Sequence, residues 1–180
     1  IPVRSYYYDP ATICRIARLE NVAAFKEASF DIDLFRDTVH ALEREKAEMR
    51  VLTGNDRFVA ESYTMGADGA LIGVANVATD RWAALDVAGR SGNFEKAAAL
   101  QSELASVKEL VFNEPIVEAV ARIKAVLQHE GLIKTAAVRR PQLGISDAEK
   151  KQLLESYQVL KTDEFRAGKS IEGKPTRAIL

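Results

Sequence analysis

Val22-Ala23-Ala24-Phe25-Lys26-Glu27-Ala28-Ser29 decides how this chain is read. Four apolar residues, too few for a helix but enough for a buried parallel strand, run straight into a lysine. Small residues follow, and an amphipathic stretch opens at about Asp33. In a strand–loop–helix unit the C-terminal end of the strand is where α/β proteins build their sites. A lysine there, its stem between apolar walls, gives up a proton more readily than an exposed one, because burial disfavours the ammonium. The neutral amine then attacks a carbonyl and forms a Schiff base. Taken alone, the stretch favours the plainer reading of a surface lysine in a βα loop. The rest of the chain reverses that balance.

Upstream, Asp9-Pro10 is a helix entrance with aspartate as N-cap and proline in the first turn. Ile13, Ile16, Ala17 and Leu19 mark the buried stripe of a short helix. Downstream, the helix over 33–46 turns Leu34, Val39 and Leu42 inward. Arg50-Val51-Leu52-Thr53 reads as a second strand, ending at Gly54-Asn55-Asp56, and a helix over 57–65 leads to a third strand over 70–74. A helix holding Trp82 and Leu85 follows. Three strand–helix alternations with short connections predict a parallel sheet with right-handed crossovers.

From Gly89 the pattern turns wholly helical. Asn93 caps a long helix through Val111, Pro115 starts another that stops at Gly131, and Ser146-Asp147-Ala148-Glu149 is a capping box opening a last one with Leu153, Leu154 and Tyr157. The expected organisation is 1–88, 89–160 as a helical appendix, and 161–180 as a polar arm.

Composition narrows the function classes. Twenty-five basic against twenty-six acidic residues leave a formal charge of −1, and the single doublet Arg139-Arg140 makes no nucleic-acid face. No apolar run reaches membrane-spanning length, and the expected compartment is the cytoplasm. Cys14, the one cysteine, reads as a core thiol, while His40 and His129 lie far apart on helical stretches without ligand spacing. No metal or cofactor is expected.

Four motifs in order carry a family resemblance. Ile1-Pro2-Val3-Arg4-Ser5 resembles the remainder of a Tyr-Asn-x-Pro-x-x-Ser/Thr segment, and Ala24-Phe25-Lys26-Glu27-Ala28 follows at the right distance. Thr53-Gly54-Asn55-Asp56 is similar to a Ser/Thr-Gly-x-Asp motif, and Gly66 to Asn76 to a Gly-x-x-Gly-apolar segment closed by Ala-Asn. Phe112-Asn113-Glu114-Pro115, Lys124 before Gly131-Leu132-Ile133, and Arg140-Pro141 fit the appendix. Together they resemble the C-terminal part of the dihydrodipicolinate synthase / N-acetylneuraminate lyase family, class I aldolase-type enzymes on a TIM (β/α)8 barrel.

The resemblance implies an α/β fold, the C-terminal half of that barrel (about strands 5–8), followed by the helical appendix. It implies that Lys26 condenses with pyruvate or another 2-oxo acid, which then reacts with an aldehyde. Arg4 falls where synthase-type members hold a substrate carboxylate, or it is a loop arginine paired to a local acid. Leu71, Ile72 and Gly73 would line the floor beside the imine. Asn55 and Asp56 would touch the distal end of the second substrate, or else cap the helix at Arg57. A homo-oligomer is expected. A sugar-acid dehydratase using the same lysine, and a non-catalytic barrel serving as a binding or assembly subunit, are the alternative readings.

Two features depart from the family pattern. Tyr6-Tyr7-Tyr8-Asp9 stands where glycine and an apolar residue are usual, crowding the entrance for the second substrate. A complete barrel takes about 250 residues. The expectation is therefore a piece of a longer chain, without turnover as these 180 residues alone.

Overall fold

The computed structural model describes residues 7–161. The opening segment with Arg4 and Tyr6, and the arm after Lys161, lie outside the described residues.

Asp9 opens the first helix, α1 (Pro10–Ala17), by accepting the Thr12 backbone N–H at 2.7 Å. Ile13 and Cys14 are buried, but Leu19 is 59% exposed. The helix stops at Ala17 and the chain turns, with the Val22 N–H bonded to the Leu19 carbonyl. That turn consumes the start of the expected strand, so β1 is Ala24–Glu27 and not 22–25.

Asp31 then caps α2 (Ile32–Arg44), taking the N–H groups of Asp33 and Leu34 at 3.0 Å each. The helix starts one residue earlier than expected, and Phe35 takes the inward place with Val39 and Leu42 while Leu34 is only half-buried. His40 is exposed on its surface.

β2 is Arg50–Thr53, as the sequence places it, and α3 is Val59–Thr64. β3 is only Gly69–Ala70, much shorter than the expected 70–74. The Leu71 N–H still bonds the Thr53 carbonyl at 2.8 Å, but Asp56 captures the Val74 N–H at 2.9 Å and Val74–Asn76 curl into a single 3-10 turn. The three strands are parallel in the order β1-β2-β3, with Lys26 opposite Leu52 and Leu52 opposite Gly69.

The C-terminal helices are α4 (Thr79–Arg90), α5 (Phe94–Glu103), α6 (Ala105–Val111), α7 (Ala119–His129) and α8 (Asp147–Leu160). The single long helix expected after Asn93 is interrupted at Leu104. Bonds from Leu104 N–H to the Leu100 carbonyl and from Lys108 N–H to the Leu104 carbonyl, both 3.0 Å, persist through the break. The Asn93 cap, the Gly131 stop (φ +73°) and the Ser146 cap on the Glu149 N–H all form.

Two cores result. Ile13, Phe35, Val39, Leu42, Met49, Val51 and Phe58 pack α1 and α2 on the outer face of the sheet, with the Phe35 and Phe58 rings edge to face at 6.2 Å. The larger core includes Val59, Tyr63, Val74, Trp82, Leu85, Leu104, Val107, Val126 and Tyr157. It runs without interruption from the third βα unit into the appendix, and residue 88 falls inside α4. No helix among the described residues is long and apolar enough to cross a membrane.

Candidate active site

Successive strand residues point to opposite faces of a sheet. Phe25, Glu27, Val51 and Thr53 therefore face the helices, and Glu27, Val51 and Thr53 are buried. Ala24, Lys26 and Leu52 share the other face, which no layer of described residues covers. Lys26 is consequently exposed, whereas the sequence reading set its stem between apolar walls. Its stem lies across Gly54, at the C-terminal ends of β1 and β2.

Leu71, next on this open face past β3, is 56% exposed, while Ile72 is half-buried and packs against the larger core. Gly73 is half-buried, facing the Phe112 ring and Asp56. Leu71 thus presents an apolar surface at the same strand ends as Lys26, and Ile72 does not belong to that surface.

Asp56 is buried beneath the turn, one carboxylate oxygen held by the Val74 N–H at 2.9 Å. Burial pushes its carboxyl above the usual value; the Val74 bond and the Lys26 charge pull the other way. The aspartate therefore lies within electrostatic reach of the lysine. Asn55 has no exposed surface at all. Its Oδ1 accepts the Phe30 N–H at 2.7 Å, and its Nδ2 donates to a Glu27 carboxylate oxygen at 2.7 Å and to the Glu27 carbonyl at 3.2 Å. Neither residue caps α3, whose N-cap position is Phe58, with no side-chain cap.

Several residues at this end were not singled out from sequence. Glu27 is buried on the helix face of β1, a charge at an inward strand position, and strand alternation was the signal for it. Phe30 occupies a left-handed conformation (φ +61°), and the Arg57 guanidinium lies 6.0 Å from its ring centroid. The Tyr7 hydroxyl reaches the Ser29 carbonyl at 3.5 Å, setting one of the expected tyrosines beside the same loop. Among the described residues no three His, Cys, Asp or Glu side chains converge as metal ligands.

Comparison with known proteins gives a consistent picture. The chain is 32% identical over 145 residues to 4-hydroxy-tetrahydrodipicolinate synthase of Moorella thermoacetica, covering 81% of this chain and 47% of that protein. It is 28% identical over 142 residues to 4-hydroxy-tetrahydrodipicolinate synthase 2 of Clostridium acetobutylicum, covering 79% and 48%. Dihydrodipicolinate synthase from Thermotoga maritima superposes with a TM-score of 0.73 at 29% identity, over 84% of this chain and 50% of that one. The Bacteroides thetaiotaomicron structure, at 23% identity, shares the fold with a TM-score of 0.76. The chain spans about half the length of these relatives. Residues 2–160 match the dihydrodipicolinate synthetase family, and the chain belongs to that family.

Proposed function

We propose that the protein contributes the lysine-bearing part of a Schiff-base-forming synthase or aldolase that joins a 2-oxo acid, pyruvate in the simplest case, to an aldehyde. The observation that carries this reading is Lys26, alone among the described lysines in standing at the C-terminal end of a parallel strand on an open sheet face, with Gly54 beneath its stem. The names of the relatives, synthases of 4-hydroxy-tetrahydrodipicolinate, support it.

In this reading the Lys26 amine adds to the keto carbon, and loss of water leaves an imine. The imine draws electrons from the neighbouring carbon, which releases a proton and becomes an enamine nucleophile toward the aldehyde. Arg4 holds a substrate carboxylate by its guanidinium fork. Leu71 supplies the apolar wall, with Ile72 and Gly73 behind it. Asp56 acts from below through its charge. β1, β2 and β3 are read as strands six to eight of the barrel, and the assembly as a homo-oligomer.

Incubating the full-length protein with pyruvate, adding borohydride and mapping peptides tests the proposal. A reduced pyruvyl adduct on the Lys26 peptide, absent in Lys26→Arg, is the expected result. A folded protein without that adduct overturns it and leaves Lys26 as an ordinary strand-end lysine.

A further inference from the structure

Asn55 and Glu27 form a deeply buried polar pair at this end of the sheet, and no step above uses either side chain. Asn55 is fully buried and Glu27 is 4% exposed. The orientation of the Asn55 amide is dictated by its partners. Its oxygen must face the Phe30 N–H and its NH2 must face the Glu27 carboxylate and carbonyl, since the reverse sets donor against donor and acceptor against acceptor.

Glu27 receives only neutral donors: Asn55 Nδ2 at 2.7 Å and the Ser29 N–H at 3.0 Å. No ion pair among the described residues includes it. Burying a carboxyl group without a cation is costly, and a well-packed apolar residue serves stability better at such a position. The pair is therefore not explained by stability alone.

Its geometry supplies the reason. Glu27 directly follows Lys26, and Asn55 directly follows the Gly54 over which the lysine stem lies. The Gly54 N–H bonds the Glu27 carbonyl at 2.6 Å, and Asn55 grips the same carbonyl and the same residue's carboxylate. Beyond Glu27, the Asn55 oxygen holds Phe30 in its left-handed conformation, which a phenylalanine does not adopt without support. Residues 27 to 30 are thus clamped to residues 54 and 55 on both sides of the loop. The backbone beneath Lys26 cannot slide along β2.

We infer that Asn55 and Glu27 are positioning residues that fix the Lys26 amine at the mouth of the sheet, and that their hydrogen-bonded pairing is the device. This rests on the Schiff-base reading above for its catalytic meaning. It assigns Asn55 a role beneath the substrate in place of contact with it.

A swap experiment in the full-length protein tests the inference. Glu27→Gln sets an NH2 group against either Asn55 Nδ2 or the Ser29 N–H, whichever way the amide turns, and Asn55→Asp sets a carboxylate against both the Glu27 carboxylate and the Glu27 carbonyl. The double variant restores the side-chain match, the amide at position 27 donating to the carboxylate at position 55 with the Ser29 and Phe30 N–H groups still accepted, and leaves only the position-27 carbonyl facing an oxygen. Borohydride trapping with pyruvate is measured at a temperature where circular dichroism shows every variant folded. Each single change is expected to slow trapping about a hundredfold, the scale of a 1 Å misplacement, with half-saturating pyruvate little altered. The double variant is expected to trap about tenfold faster than Asn55→Asp alone. A folded single variant trapping at the natural rate overturns the inference, and so does a double variant no faster than Asn55→Asp alone.

If the unmodified protein forms no adduct, the proposed function falls, and the positioning claim is decided separately by competitive acetylation of Lys26 with acetic anhydride across pH. A labelling profile displaced in both singles, and less displaced in the double than in Asn55→Asp, upholds it. An unchanged profile in the singles overturns it.

Discussion

Lys26 occupies the space a side chain at Gly54 would need: a Cβ there would overlap Lys26 Cε. The lysine end could swing away, but the Ala28 Cβ at 2.7 Å and the Glu27 carbonyl at 3.0 Å belong to a clamped loop. Gly54→Ala is therefore expected to destabilise the fold by about 1–3 kcal/mol, the usual scale of overpacking, and to slow pyruvate trapping at Lys26. Urea unfolding and adduct yield, measured together, check both parts. An alanine variant with unchanged midpoint and yield would show that the loop yields freely.

Asp56 makes stability depend on pH in an unusual direction. Burial raises its folded pKa above the ordinary 3.8 of an exposed aspartate. Between those two values the folded state holds the proton that the unfolded chain has lost, so stability falls as pH rises through the folded pKa. Its favourable contribution is complete below 3.8. Asp56→Asn keeps an oxygen for the Val74 N–H and removes the buried charge. It is expected to be more stable than the parent at pH 7, with the gap shrinking on acidification. Unfolding curves from pH 3 to pH 7 that run parallel for the two proteins would refute this.

Arg122, 5% exposed in its side chain, ties α7 to the loop before it and to α8. It pairs with Glu118 at 2.9 Å and Glu149 at 2.8 Å, and it also donates to the Asn113 carbonyl. Arg122→Met strands these acceptors while preserving bulk. Removing one partner of a buried ion pair typically costs about 3–5 kcal/mol, and the half-open glutamates place the expected loss near the lower bound, about 3 kcal/mol. Thermal unfolding is the measurement, and a loss under about 1 kcal/mol would place Arg122 among ordinary surface pairs.

Lys46 ends α2 in a left-handed conformation (φ +53°). Its N–H bonds the Glu43 carbonyl and the Ala47 N–H bonds the Leu42 carbonyl, the two bonds of a Schellman stop, where glycine is favoured. The left-handed penalty is about 1–2 kcal/mol, and glycine's extra chain entropy offsets about 0.5–1 kcal/mol of the relief. Lys46→Gly should therefore stabilise the protein by about 0.5–1 kcal/mol in urea. A decrease would mean the exposed lysine stem contributes packing.

Local chemistry was legible in the chain at helix caps and stops, where a signal and its partner lie within a turn of each other. Asp9, Asn93 and Ser146 cap the helices they precede, Gly131 stops one, and the second strand falls on Arg50–Thr53. The turn at Leu19 and the curl at Val74 were not legible. Each depends on which competing partner the backbone finds, and for Val74 that partner is a carboxylate 18 residues away.

By itself the sequence determined that strands and helices alternate, where most of them are capped, and that one lysine ends a strand. Only the tertiary structure decided which face of that strand lies open. It placed Lys26 and Leu71 outside, drew Glu27 inside, and buried Asn55 with its amide spent on Glu27 28 residues away and on Phe30. Caps and turns are settled by neighbours along the chain, whereas burial and long-range pairing are settled by how distant segments pack.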